Sequence, residues 1–226
     1  MKRISSLMLA VSLLGSFSVQ AGWVTIPGSG SVTVKVGSLK ERAFRTTVRQ
    51  QHDYSCGAAA LATLLTYHYR DPITEDKIFS EMWENGDRDK IRREGFSLLD
   101  IKQYLEANDY SADGYEASLD KLVEVGIPAI VLIRENGYNH FVVVKGIRNG
   151  QVAVGDPSAG AKIFPRDEFE KMRVNRILFV INGARDKVVF DSKQDWRIRE
   201  KAPLGLAAGP ADLSNTTLLR RAPSDL

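Results

Sequence analysis

The chain of 226 residues has one cysteine, Cys56, and so no internal disulfide can staple it. Histidine is almost as scarce, with only His52, His68 and His140. No C-x-x-C pair, H-E-x-x-H segment or clustered His and Asp set is present, which leaves metal chemistry without a ligand pattern. The glycine-rich stretch near Gly28 lacks the strand before it and the helix after it that a phosphate loop needs. No internal repeat is found, and no cofactor is implied.

Charge of one sign is also missing. The formal net charge is +3, and without Lys2 and Arg3 it falls to +1, which gives no footprint for nucleic acid. Past the N-terminus no apolar run approaches the ~20 residues needed to span a bilayer. At the N-terminus, Lys2 and Arg3 precede an apolar stretch from about Leu7 to Val19, and Val19-Gln20-Ala21 offers the small-x-small pattern of a cleavage site. This reads as a signal peptide over 1–21, and hence a periplasmic protein. Export brings the chain to a compartment where thiols pair, so its single thiol is either buried and inert or exposed and used.

What is there is sorted along the chain. Residues 22–44 form an arm in which Val32, Val34 and Val36 alternate with small or polar partners, as in a short strand. From Gly57 to Tyr69 the Ala and Leu density predicts a helix buried nearly all round, with Leu61, Leu64, Leu65 and His68 at helical spacing. Asp71-Pro72 ends it, and a second helix starts at Thr74. Ser97 with Asp100 marks a capping box, with Phe96 and Ile101 as its hydrophobic staple. After a short helix at Leu119 to Val125 the period changes to that of strands, in "IPAIVLI", "HFVVVKGI", "QVAVGD", "AKIF" and "RILFVIN". Helices first and strands later give an α+β fold with an antiparallel sheet. The signal weakens past Gly183, and residues 184–226 read as an extension that is largely flexible from about 201.

Cys56 opens the Ala/Leu helix, where unpaired N–H groups and a partial positive charge favour a thiolate. Gly57 beside it keeps the approach open. A nucleophilic thiol needs a base. His68 is twelve residues along the same helix, about 18 Å away, and is read as a packed histidine. His52 lies in the loop before Cys56, a less rigid mount. His140 opens a strand and can aim its ring into a cleft. Asp156 follows on the next strand, and whether the two meet depends on the hairpin between them. A two-residue turn at Asn149-Gly150 puts Asp156 opposite Val143 and on the wrong face. A three-residue loop, Arg148 to Gly150, with Gly150 as a left-handed bulge residue, puts Asp156 opposite Val142 and on His140's face. The second arrangement is expected, with the carboxylate holding the imidazole tautomer. For the oxyanion, the Cys56 N–H is one donor and the Gln50 amide the other, with Gln51 as its rival.

Gln50, "SCGAAAL", "NHFVVV" and "VGDPSAG", in that order, give the chain a resemblance to the C39 cysteine peptidases, papain-like enzymes that process bacteriocins. The similarity spans about Arg45 to Asn182 and includes "FSLLDIKQYL" and "GIPAIVLI". It implies a papain-like peptidase domain over 45–183, with Cys56 as nucleophile, His140 as general base, Asp156 as its orienting partner and Gln50 in the oxyanion hole. Many members are the N-terminal domain of an ATP-driven exporter and cut after a double glycine. Here there is a signal peptide and no transporter, so the chain resembles the stand-alone exported type associated with functional-amyloid fibres. The implied partner is an exported peptide or protein, within a fibre-secretion system. Two other readings remain: a module that binds unfolded export substrates without cutting them, and a papain-like amidase or transpeptidase.

Overall fold

The structure, a computed structural model, describes residues 24–25, 31–32, 39–183 and 188–197. The signal segment over 1–21, Val34 and Val36, and the extension from 198 onward lie outside these residues. Two strands, β1 (Val24–Thr25) and β2 (Ser31–Val32), pair antiparallel and belong to a unit that ends at Ser38. Everything that follows belongs to the second unit.

After α1 (Leu39–Ala43) and a lead-in rich in turns comes α2 (Cys56–Thr63). Its small side chains let neighbours approach from every side, and all its residues after Cys56 are buried. It runs directly into one π-helical turn over Leu64–His68. Thr74 caps α3 (Glu75–Asn85) by accepting from the Lys77 N–H. Asp87 likewise caps α4 (Arg88–Glu94), accepting from the N–H groups of Asp89 and Lys90. The capping box expected at Ser97 and Asp100 is present and starts α5 (Leu98–Ala107), with Phe96 and Ile101 both in the core.

A six-stranded antiparallel sheet follows, made of β3 (Ala112–Glu116), β4 (Ala129–Glu135), β5 (Tyr138–Arg148), β6 (Gln151–Asp156), β7 (Gly160–Pro165) and β8 (Ile177–Ile181). The strand order is β3-β8-β4-β5-β6-β7. Strand β3 was not legible in the sequence, because only Ala112 of its five residues is buried and it carries no apolar alternation. One face of the sheet, with Ile130, Phe141, Val143 and Phe179, packs on α2, α3 and α5. The other, with Val131, Val142, Val144, Val152 and Val154, packs on α6 (Leu119–Val125) through Leu119 and Leu122 and on α7 (Arg166–Met172) through Phe169. The α+β reading holds.

The β5–β6 hairpin corrects the expected loop. Arg148 pairs with Gln151, which leaves a two-residue turn in which Asn149 and Gly150 have φ of 51° and 68°. Positive φ at both positions is the twist-matched type I′ turn, which Asn-Gly favours. The extra residue lies further in: Gly146 faces Ala153 but Val144 faces Val154, so Lys145 is a β-bulge. Below it Val143 faces Gly155, which brings Asp156 opposite Val142 and onto His140's face. The expected register is reached by a different device.

Candidate active site

Cys56 lies at the N-terminus of α2, half-buried, and its thiol is free. The lead-in before it is tied down at both ends. Val48 N–H donates to Thr63 Oγ1 (2.8 Å) and Gln50 N–H donates to the carbonyl of Pro157 (3.0 Å), the residue after Asp156. Between them and the helix, Ser55 Oγ donates to the His52 carbonyl at 2.9 Å and accepts from the His52 N–H. Gly57 also lets α2 pack closely on its neighbours: a Cβ there would sit 3.1 Å from Phe96 Cβ and 3.6 Å from the Phe141 ring.

Cys56 and His140 line one cleft of about 670 Å³, together with Phe96, Leu98, Leu132 and Phe141. The backbone N–H groups of Phe141, next in chain to His140, of Gly57 and of Cys56 itself act to lower the thiol pKa. Burial is nevertheless the larger effect and pushes the thiol pKa up, with the negative charge of Asp156 adding to it. The backbone N–H groups at the helix N-terminus oppose this rise without outweighing it.

His140 Nε2 lies 3.4 Å from Asp156 Oδ2, on the opposite side of the ring from Nδ1. The two oxygens of Asp156 are divided in their work. Oδ1 accepts from Ser158 N–H (2.8 Å), Ser158 Oγ (2.6 Å) and Ala159 N–H (3.3 Å), which fixes the carboxylate on its own turn. Oδ2 lies between His140 and Lys162, whose Nζ is 2.9 Å away. Burial raises the Asp156 pKa, but His140 and Lys162 beside Oδ2 and the hydrogen bonds from Ser158 outweigh it and hold the carboxyl well below the usual carboxylate range. The group is ionised.

Lys162 escaped the sequence reading. It lies on β7 opposite Val154, so strand alternation places it on the face of Asp156 and His140 once the "DPSAG" turn is given its register. Its ammonium also lies 2.9 Å from Glu135 Oε2. Among the described residues, Glu135, His140 and Asp156 bring ligand-type atoms within 4.8 Å of one another, and Lys162 supplies positive charge to both carboxylates there.

The remaining candidates lie elsewhere. His68 is buried with its Nδ1 2.7 Å from the Val189 carbonyl, and His52 is exposed and stacked on Tyr54. Gln50 Nε2 donates to the His52 carbonyl at 3.1 Å, within the loop that leads to Cys56. Gln51 is directed away, to Glu75 and Asp76 of α3.

A sequence profile of the peptidase C39 family matches residues 45–184. The chain is 40% identical over 181 residues to a probable functional amyloid protease FapD of Pseudomonas aeruginosa, which covers 79% of this chain and 80% of that protein. Identity to the probable functional amyloid protease FapD of Pseudomonas fluorescens is also 40%, with 80% of each chain covered. Among solved structures, the peptidase domain of Streptococcus ComA, a bi-functional ABC transporter involved in quorum sensing, superposes with a TM-score of 0.51 at 18% identity, covering 60% of this chain and 96% of that one, and so shares the fold.

Proposed function

The chain belongs to the peptidase C39 family and is a cysteine peptidase, and from that premise we propose that Cys56 is its nucleophile, His140 its general base, Asp156 the partner that orients His140, and Gln50 an oxyanion donor. The observation that carries this reading is the register of β5 and β6. It sets His140 Nε2 3.4 Å from a buried, ionised carboxylate, in a cleft that Cys56 shares with His140.

The chemistry follows from which atoms are free. Asp156 takes the Nε2 side, so Nδ1 accepts the Sγ proton as sulfur attacks the peptide carbonyl carbon and the C–S bond forms. The oxyanion is met by the Cys56 N–H and by the Gln50 amide, which exchanges the His52 carbonyl for it. As the C–N bond breaks, the imidazolium returns the proton to the leaving amine. Water, deprotonated by His140, then releases the acyl group and restores the thiol.

The substrate is an extended, largely apolar peptide segment, for which Phe96, Leu98, Leu99, Leu132 and Phe141 line the cleft, Leu99 with 61% of its surface exposed. We place the enzyme in the periplasm on the strength of residues 1–21, acting on an exported protein of a functional-amyloid fibre system, the setting that the names of the Pseudomonas relatives suggest. Among the described residues no helix is long and apolar enough to cross a membrane. Mapping protein N-termini in the exported proteome of cells with the native chain and with Cys56→Ala tests this. A small set of N-termini present only with the native chain, in secreted fibre components, is expected. Identical sets would contradict it.

A further inference from the structure

The residue that makes the bulge in β5 is a buried lysine. Lys145 is 1% exposed, and its ammonium reaches two other segments: Nζ donates to the Thr46 carbonyl (2.7 Å) and to Thr46 Oγ1 (2.5 Å), and pairs with Asp195 Oδ1 at 2.6 Å. Thr46 belongs to the lead-in to Cys56. Asp195, itself 3% exposed, lies in residues 188–197, past position 184 where the family match ends.

That segment closes on the bulge at further points. Asp191 N–H donates to the Lys145 carbonyl at 2.8 Å. Asp191 Oδ1 accepts from Trp196 Nε1 (2.7 Å) and Arg148 Nε (3.2 Å), and the Arg148 guanidinium lies over the Trp196 ring. A Cβ on Gly146 would meet Asp191 Cα at 2.9 Å. On the sheet side, a Cβ on Gly155 would meet Lys145 Cδ at 3.0 Å, so the lysine stem fills the space of a side chain missing beside Asp156.

Two registers compete in this hairpin. The Asn149-Gly150 turn fixes Arg148 opposite Gln151, and a regular ladder continued from there puts Asp156 opposite Val143, facing away from His140. One extra residue reverses that outcome, at the cost of a disrupted ladder. We propose that Lys145 and Asp195 are positioning residues: their buried pair pins the bulge, the bulge sets the face on which Asp156 meets His140, and residues 188–197 are thereby a working part of the peptidase. This rests on the reading of His140 and Asp156 as catalytic partners.

The test uses the full chain with Lys145→Met, Asp195→Asn and the double variant. Each single change strands a buried group and lowers the melting temperature, whereas removing both relieves that penalty. Three readouts are taken: the melt, the side-chain ¹⁵N spectrum of His140, and kcat and KM on a peptide spanning the mapped cleavage site. The double variant is expected to melt near the native chain yet to lose the Nε2-protonated His140 signature. Its kcat should fall by about 10²-fold with KM within about twofold. A double variant with native kcat and a native histidine spectrum overturns the proposal, because the pair would then serve stability alone. A changed spectrum with native kcat keeps the positioning role and removes the catalytic reading of His140 and Asp156 instead. If the double variant does not fold, Asp195→Glu, which keeps the charge and moves the carboxylate by one methylene, carries the same readouts. Lowered kcat supports the proposal and native kcat overturns it.

Discussion

Asp156 is the residue on which the account turns, because its two oxygens answer to different masters. Oδ1 is committed to Ser158 and Ala159, and Oδ2 to His140 and Lys162. Asp156→Asn keeps the shape and removes the charge. It should cost on the order of 10² to 10⁴ in kcat through loss of the fixed tautomer. It should also cost about 1–3 kcal/mol in stability, since Lys162 retains Glu135 as a partner. Steady-state kinetics with a denaturant melt of the same variant check both. The sign of its pH effect is fixed as well. With the folded pKa depressed, Asp156 contributes its full stability above the unfolded value of about 4, and that contribution is lost as pH falls below it. Cys56, His140 and Asp156 could be singled out as candidates because Cys56 opens α2, Asp156 ends β6 before Pro157, and His140 follows the Asn136-Gly137 turn. Lys162 was not, since its place depends on the registers of two successive hairpins rather than on any local pattern.

At the scale of elements, the bulge shows what local reading finds and where it slips. An Asn-Gly pair is a strong signal for a two-residue turn, and such a turn is what forms. The clue to the extra residue lay instead in the apolar spacing of β5: Val142, Val144 and Ile147 share one core, and a step of three between the last two breaks the period of two. The capped helices were readable because Thr74 and Ser97 precede apolar periodicity, whereas α4 shows only Ile91 to the core. Deleting Lys145 in an Asp195→Asn background is expected to give a regular ladder with Asp156 still opposite Val142. Cross-strand contacts between these two residues in NMR spectra check it; contacts from Asp156 to Val143 would contradict it.

At the scale of the second unit, the helical layer, the sheet and residues 188–197 meet at a buried charged cluster of His68, Lys145 and Asp195. His68, in the π-helical turn, is held to Val189 through Nδ1, and burial pushes its pKa down to about 4, with the charge on Lys145 adding to the effect and Asp195 opposing it. The unfolded chain takes up this proton near its ordinary value of about 6.5, so stability falls as pH drops from there to about 4. His68→Gln should flatten that decline by about 3 kcal/mol, as read from urea melts at pH 7 and at the acid end of the window. The packed state of His68 was readable from its helical spacing, but its partners past Gly183 were not, because periodicity fades there and Asp195 has no pattern to mark it. The central claim is that Cys56 works through His140, and the most direct measurement is the rate of Cys56 alkylation at neutral pH in the native chain and in His140→Ala. Because burial raises the thiol pKa, the variant should react slower by about 10²-fold or more. Equal rates in the two proteins would contradict the account.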